Sequence, residues 1–187
     1  MGKFTVIPQD TFEGLQLDAG VLLKNFDPAS DSAPADEDII CPTTGGISVS
    51  CAPTYSDMGA DVDNCPVNTK ELMRLDSWTC TMSFTALSTS VPFIKLALGA
   101  ADVSGNKVTP RADLQQSDFN DLWWVGDRAD GGWAAVKLLN ALSTGGYALQ
   151  TAKNGKGQSA VTLTGHVSIS ALKTVPMEFY SSGGVSV

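Results

Sequence analysis

The chain's single histidine, His166, is the only residue able to act as the base of a Ser-His-Asp arrangement. It stands among hydroxyl residues in an alternating stretch, the setting of a surface or interface histidine. Carboxylates are paired at Asp118/Asp121 and Asp127/Asp130. Acid–base or divalent-cation chemistry needs two such groups a few ångström apart in a rigid cleft. Asp127 and Asp130 instead flank Arg128 in a Gly-rich turn, the pattern of a solvated or ion-paired loop. The string Asp36-Glu37-Asp38 lacks the spacing and central glycine of an EF-hand loop. Neither a GxxxxGK[ST] phosphate loop, a GxSxG elbow nor an HExxH pair occurs. Four cysteines at 41, 51, 65 and 80 form no CxxC motif and have no histidine cluster beside them, so zinc is not expected and the thiols are read as reduced. These residues assign no catalytic, cofactor or metal site, and a non-enzymatic role is expected.

At 187 residues and 19.6 kDa the chain has the size of one domain, read here as 1–187. Such a chain buries roughly 70% of its unfolded surface and holds a core without metal or disulfides. Only 17% of residues are charged, below the ~25% of an average domain, with Ser, Thr and Gly making up the difference. The formal charge of -8 argues against attraction to phosphate backbones as the basis of function. Acidity is uneven. Residues 1–69 hold 11 acidic against two basic residues, and residues 70–187 hold nine against ten. The acidic stretches 27–38 and 57–63 fit solvated loops, with an acidic partner surface or a divalent-cation site as the other readings. The longest apolar run, 91–101, is interrupted by Lys95 and falls well short of the ~20 residues of a membrane span. With no signal peptide recognisable at the N-terminus, the chain is expected to stay where it is made.

Alternation dominates the elements that must position these residues. Residues 78–87 (WTCTMSFTAL) place Trp78, Cys80, Met82 and Phe84 on one face and Thr79, Thr81, Ser83 and Thr85 on the other, a half-buried strand. Residues 158–171 repeat the pattern. Val161, Leu163, Val167 and Ile169 are expected inside, with Thr162, Thr164, His166, Ser168 and Ser170 opposite. Between them, Thr89 or Ser90 as cap, Pro92 and an apolar stripe before Gly99 predict one short helix. Residues 118–125 and 133–142 read as a long hairpin, 145–151 and 176–180 as short strands, and Asn154-Gly155 as a tight turn. Residues 4–7 read as a strand and 14–26 as strands or an extended arm. Short strands at 39–40 and 46–52 lie in an acidic, loop-rich insertion over about 27–68. The class expected is mainly β, a sandwich or barrel with one flanking helix. Adjacent Trp123 and Trp124 face opposite ways in a strand, so one needs a second apolar surface. Packing under the helix or against another copy is the favoured use. Carbohydrate binding stays open, while nucleic-acid stacking lacks the interleaved Lys and Arg it needs. The hydroxyl faces are candidates for a lumen wall or subunit interface, and Trp123, Trp124 and Trp133 for assembly.

In order and total length, the segments TFEGLQLDAGVLLKNFDP, RLDSWTCTMSFTAL, FIKLALGAAD, DFNDLWWVGD, VKLLNALSTGG and GHVSISALKTVPMEFY resemble the major tail tube proteins of long-tailed, non-contractile bacteriophages and related prophages. The resemblance implies a sandwich or barrel subunit that closes into rings, usually sixfold, which stack into the tube conducting DNA to the host. It also implies a place in the virion tail after assembly in the bacterial cytoplasm. The partners it implies are further copies of the chain, tape-measure and tail-terminator proteins, and passing DNA, with no catalytic residues. A head–tail joining or tail completion protein would share this logic. A carbohydrate- or receptor-binding sandwich with the three tryptophans as platform is the alternative of another class.

Overall fold

The computed structural model describes residues 7–30, 33–172 and 174–183. The strand expected at 4–7 therefore lies, apart from Ile7, outside the described residues. Nine strands are seen: β1 (Val21–Leu23), β2 (Thr43–Asp57), β3 (Met73–Ala86), β4 (Ala101–Ser104), β5 (Lys107–Pro110), β6 (Asn120–Asp127), β7 (Trp133–Ser143), β8 (Ser159–Thr164) and β9 (Met177–Ser182). One helix, α1 (Val91–Leu98), joins β3 to the small β4–β5 hairpin. All pairings are antiparallel, and the main sheet runs β1-β6-β7-β8-β3-β2 with β9 also on β7. This is the mainly β, sandwich-like class expected.

β7 turns the sheet on itself. Its first part lies between β6 and β9, while Leu142 and Ser143 pair with Thr164 and Leu163 of β8. The bend falls at Asn140, with φ of 47°, a conformation Asn tolerates better than other side chains. Its amide N–H donates to Asp121 Oδ1 at 3.0 Å, and its side chain donates to the His166 carbonyl at 3.0 Å. Between the two layers lie Leu22, Cys80, Met82, Phe84, Leu138, Val161 and Leu163, each worth roughly 1.5–3 kcal/mol for the larger apolar side chains. α1 closes one end with Phe93 and Ala97, one turn apart on its buried face. It stops at Gly99, whose φ of 73° favours a residue without Cβ and whose N–H caps the Lys95 carbonyl.

Trp123 and Trp124 do face opposite sides of β6. Trp124 packs against the main core, and Trp123 lies in a second cluster with Leu23, Val125 and Ala135. That second surface comes from the chain itself: Phe26 meets Trp123 edge-on at 5.5 Å and Trp133 at 5.1 Å, with Tyr180 beyond.

Four readings need correction. The short strand expected at 46–52 within the loop-rich stretch 27–68 is about twice that length, because β2 occupies 43–57. Pro53 and the Gly45-Gly46 pair mask it in the sequence, and both are tolerated because β2 is an edge strand. β8 ends at Thr164 rather than near 171, so Val167 and Ile169 fall outside the core, 46% and 88% exposed. A Cβ on Gly165 would come within 2.8 Å of the Pro176 carbonyl and 2.7 Å of Leu138, and here the chain leaves the ladder. Trp78 is 36% exposed, since it lies past the last strand able to cover it. Residues 145–151 form no strand, only a bridge of Gln150 to Gln158. The β4–β5 hairpin has a sequence signal of its own, the two-residue Gly105-Asn106 turn.

Phe84 faces the core at 5% exposure, so Phe84→Ala should cost roughly 3–5 kcal/mol through lost transfer energy plus a cavity. Urea denaturation should show a lower midpoint at unchanged slope; an unchanged midpoint would contradict the packing.

Candidate functional site

Two surfaces of the β2–β3–β8 layer stand out. The first is its outward face. Thr81 lies opposite Thr164 and Ser50, and Ser83 opposite Thr162 and Ser48, while Thr85 lies opposite Thr44. Ser83 and Thr162 share a hydroxyl hydrogen bond at 3.1 Å, and Thr144 reaches Thr164 at 3.4 Å. Residues 43–56, 77–86 and 159–164 contain no Asp, Glu, Lys or Arg. The result is a hydrated, uncharged hydroxyl surface three strands wide. Of the expected face residues, Thr79 lies beyond β8 on the exposed end of β3. His166, Ser168 and Ser170 fall after β8, so they do not extend this surface. His166 instead sits at the β7 bend, its Nδ1 3.2 Å from the Asn140 carbonyl and its ring edge-on to Phe119.

The second surface is an arm. β8 covers β3 only from Thr81 to Ala86, whereas β2 accompanies β3 to Asp57 opposite Met73. Beyond Cys51 and Cys80 the two strands continue as a ribbon without a third neighbour. Residues 52–55 and 73–79 are exposed throughout. At 3.3 Å per residue, β2 alone carries the ribbon about 20 Å past Cys51. Its tip is folded by Asp57, whose carboxylate accepts the Gly59 and Asn68 N–H groups at 2.9 and 2.8 Å. Those two bonds hold the Asp57 carboxyl below the usual carboxylate range. The arm carries Tyr55, Met58, Val67 and Leu75 in the open. At its root, Leu75 and Trp78 line an apolar cleft of about 290 Å³ with Val167, Leu172 and Val175. Exposed apolar groups gathered in this way mark an interaction surface.

A cleft of about 580 Å³ lies between α1 and β6 and holds Lys24, Lys95, Asp118 and Asp121. Its carboxylates are already engaged. Asp121 pairs with Lys137 at 2.9 Å. Asp118, with a side chain only 1% exposed, takes Arg111 Nη2 at 2.6 Å and the Gln115 N–H at 2.9 Å. Arg111 also faces Asp102 at 3.0 Å, so this buried cluster clamps the β4–β5 hairpin to the turn before β6. Asp127 is exposed, and Asp130 pairs with Arg128, as the loop reading expects. Among the described residues no group of three or more His, Cys, Asp or Glu side chains could hold a metal ion, and no helix is long and apolar enough to cross a membrane. All four cysteines are free thiols.

Of the hydroxyl face read from the sequence, Thr81, Ser83, Thr85, Thr162 and Thr164 share one surface while Thr79, His166, Ser168 and Ser170 do not, and the arm was missed. Its signal was the continuation of alternation from Met73 to Ser77 with no Gly or Pro between. Trp123, Trp124 and Trp133, expected at an assembly surface, are instead packed within the subunit. Compared with known proteins, the chain matches no family model and no curated protein.

The Gln115 N–H, reinforced by Arg111, holds the Asp118 carboxyl below the ordinary range against the opposing effect of burial. The clamp is therefore fully present above the unfolded carboxylate value of about 4 and is lost as pH falls through the lower folded value. Asp118→Asn should cost roughly 1.5–3 kcal/mol at pH 7 by removing the buried carboxylate from Arg111 and leaving it only exposed ones such as Asp102. Urea midpoints should differ at pH 7 and converge as both proteins are taken below pH 4.

Proposed function

We propose that this chain is a structural subunit that closes into rings, and that the rings stack into a tail tube conducting DNA. The observation that carries the reading is the β2–β3 arm. A two-stranded ribbon is marginal in water on its own, and this one exposes apolar side chains along its length. Another copy of the chain is the natural cover, and the unpaired outer edge of β2 supplies a second means of association. Between Ile47 and Ala52 that edge carries no charge and no proline, the devices that normally block strand addition. Ring closure removes such edges.

The hydroxyl face supports the same reading. Each Lys or Arg fixed on a bore wall would add counterion-release affinity for DNA, multiplied by the copies in every ring. A wall of Ser and Thr avoids that trap, and the surplus of eight carboxylates keeps the remaining surface unattractive to phosphate. A carbohydrate platform built on Trp123, Trp124 and Trp133 is disfavoured, because Phe26 and Tyr180 pack on Trp123 and Trp133 while Trp124 packs against the main core on the opposite face.

The full-length protein should sediment in a concentration-dependent manner and form rings or tubes in negative stain. Replacing residues 53–78 by Asn-Gly, which joins the facing Ala52 and Thr79, should leave a folded body that remains monomeric. A full-length chain that stays monomeric at high concentration and with its tail partners, or an arm-less chain that still forms tubes, would overturn the reading. In assembled tubes Thr81→Lys should convert a bore that releases duplex DNA at physiological salt into one that retains it until salt is raised.

A further inference from the structure

We propose that Cys51 and Cys80 form a redox-set clip: a cross-strand pair that closes to a disulfide at the root of the arm. The two residues lie directly opposite each other in the β2–β3 register. Their Sγ atoms are 3.0 Å apart, inside ordinary sulfur contact, although 29 residues separate them in sequence. No strand need move far to join them. Cα atoms of facing strand residues lie 4.5–5.5 Å apart, within or near the span that disulfides bridge. Neither remaining thiol competes. Cys41 is buried in the main core, and Cys65 sits in the arm tip beside Thr69.

The two thiols differ in a way that sets the order of events. Cys51 is half-buried on the edge strand, whose outer side is open, so a small reagent can reach it. Cys80 is fully enclosed on the central strand, and burial together with the neighbouring Cys51 pushes its thiol up to about 12. A low-molecular-weight disulfide, RSSR, is the oxidant. The Cys51 thiolate attacks one of its sulfurs, the S–S bond breaks, and one RS⁻ leaves with a mixed disulfide on Cys51. Cys80 then loses its proton and attacks the Cys51 sulfur, expelling the second RS⁻. The two cysteine protons end on the two released thiols. In sum, two cysteine thiols are oxidised to one disulfide and one RSSR is reduced to two RSH. The second step is intramolecular between groups already in contact, so it outruns attack by external thiol.

The position gives the clip its consequence. Cys51–Cys80 is the last pair before the ribbon leaves the body, so closing it fixes the arm's register and ties its two strands where they emerge. The inference stands on this geometry alone and does not depend on the tube reading.

The test uses the full-length protein treated with oxidised glutathione under native conditions, then alkylated in denaturant and mapped by mass spectrometry. Two of the four thiols should escape alkylation, with the Cys51 and Cys80 peptides linked within one chain. The thermal midpoint should rise by roughly 5–10 °C and return on treatment with a dithiol. Cys51→Ser should show neither the link nor the rise. Because Cys80 lies in the core, Cys80→Ala serves as a second variant whose Cys51 should stop at the mixed disulfide with glutathione. Four alkylated thiols after oxidation, a link involving Cys41 or Cys65, or a link between chains would each overturn the assignment.

Discussion

The organisation of this protein depends on a mismatch of strand lengths. β2 and β3 run together over their whole length, but β8 reaches only as far as Thr81. On the body side of that point, Cys80, Met82 and Phe84 are buried on one face and the hydroxyls meet water on the other. On the far side, the same two strands have neither a third strand to satisfy their outer backbone groups nor a layer to cover their side chains. Backbone polar groups and apolar side chains left in that state are a standing template for association. The body therefore supplies the stability, and the ribbon is a surface that the body leaves uncovered.

The remaining features serve those two ends. Asn140 lets β7 leave one layer and join the other, which closes the core and gives the layer of β2, β3 and β8 its rigid backing. The Arg111–Asp118 pair fastens the β4–β5 hairpin beside α1, well away from the arm. Charge is kept off the layer itself and concentrated at 27–38 and at the arm tip. A net charge of -8 makes copies repel one another, so the proposed association would have to come from apolar contact and strand pairing, and screening by salt should favour it. The outward face of these three strands carries no ionised group.

Sequence reasoning reached the parts in which local pattern and tertiary environment agree. Alternation sorted Cys80, Met82 and Phe84 from Thr81, Ser83 and Thr85, and cap, proline and glycine located α1 to the residue. It failed where the pattern outlives its surroundings. Trp78, Val167 and Ile169 continue a perfect alternation, yet period two reports only which way a side chain points and says nothing of whether a neighbour exists to cover it. β2 was read too short, as 46–52, for the opposite reason. Pro53 and Gly45-Gly46 break the local rules, but an edge strand has an unpaired side on which those breaks cost little. The tryptophans show a third limit, since the second apolar surface they require came from Phe26, almost a hundred residues earlier in the chain.

The central claim is that the arm is completed by another copy of the chain, and hydrogen–deuterium exchange of the full-length protein across a concentration series tests it most directly. The account predicts fast exchange of amides in residues 52–79 in dilute monomer, and strong protection of the same amides once the protein is concentrated into assemblies. Body amides of β6, β7 and β8 should remain protected throughout. Arm amides that exchange at one rate in monomer and assembly alike would contradict it.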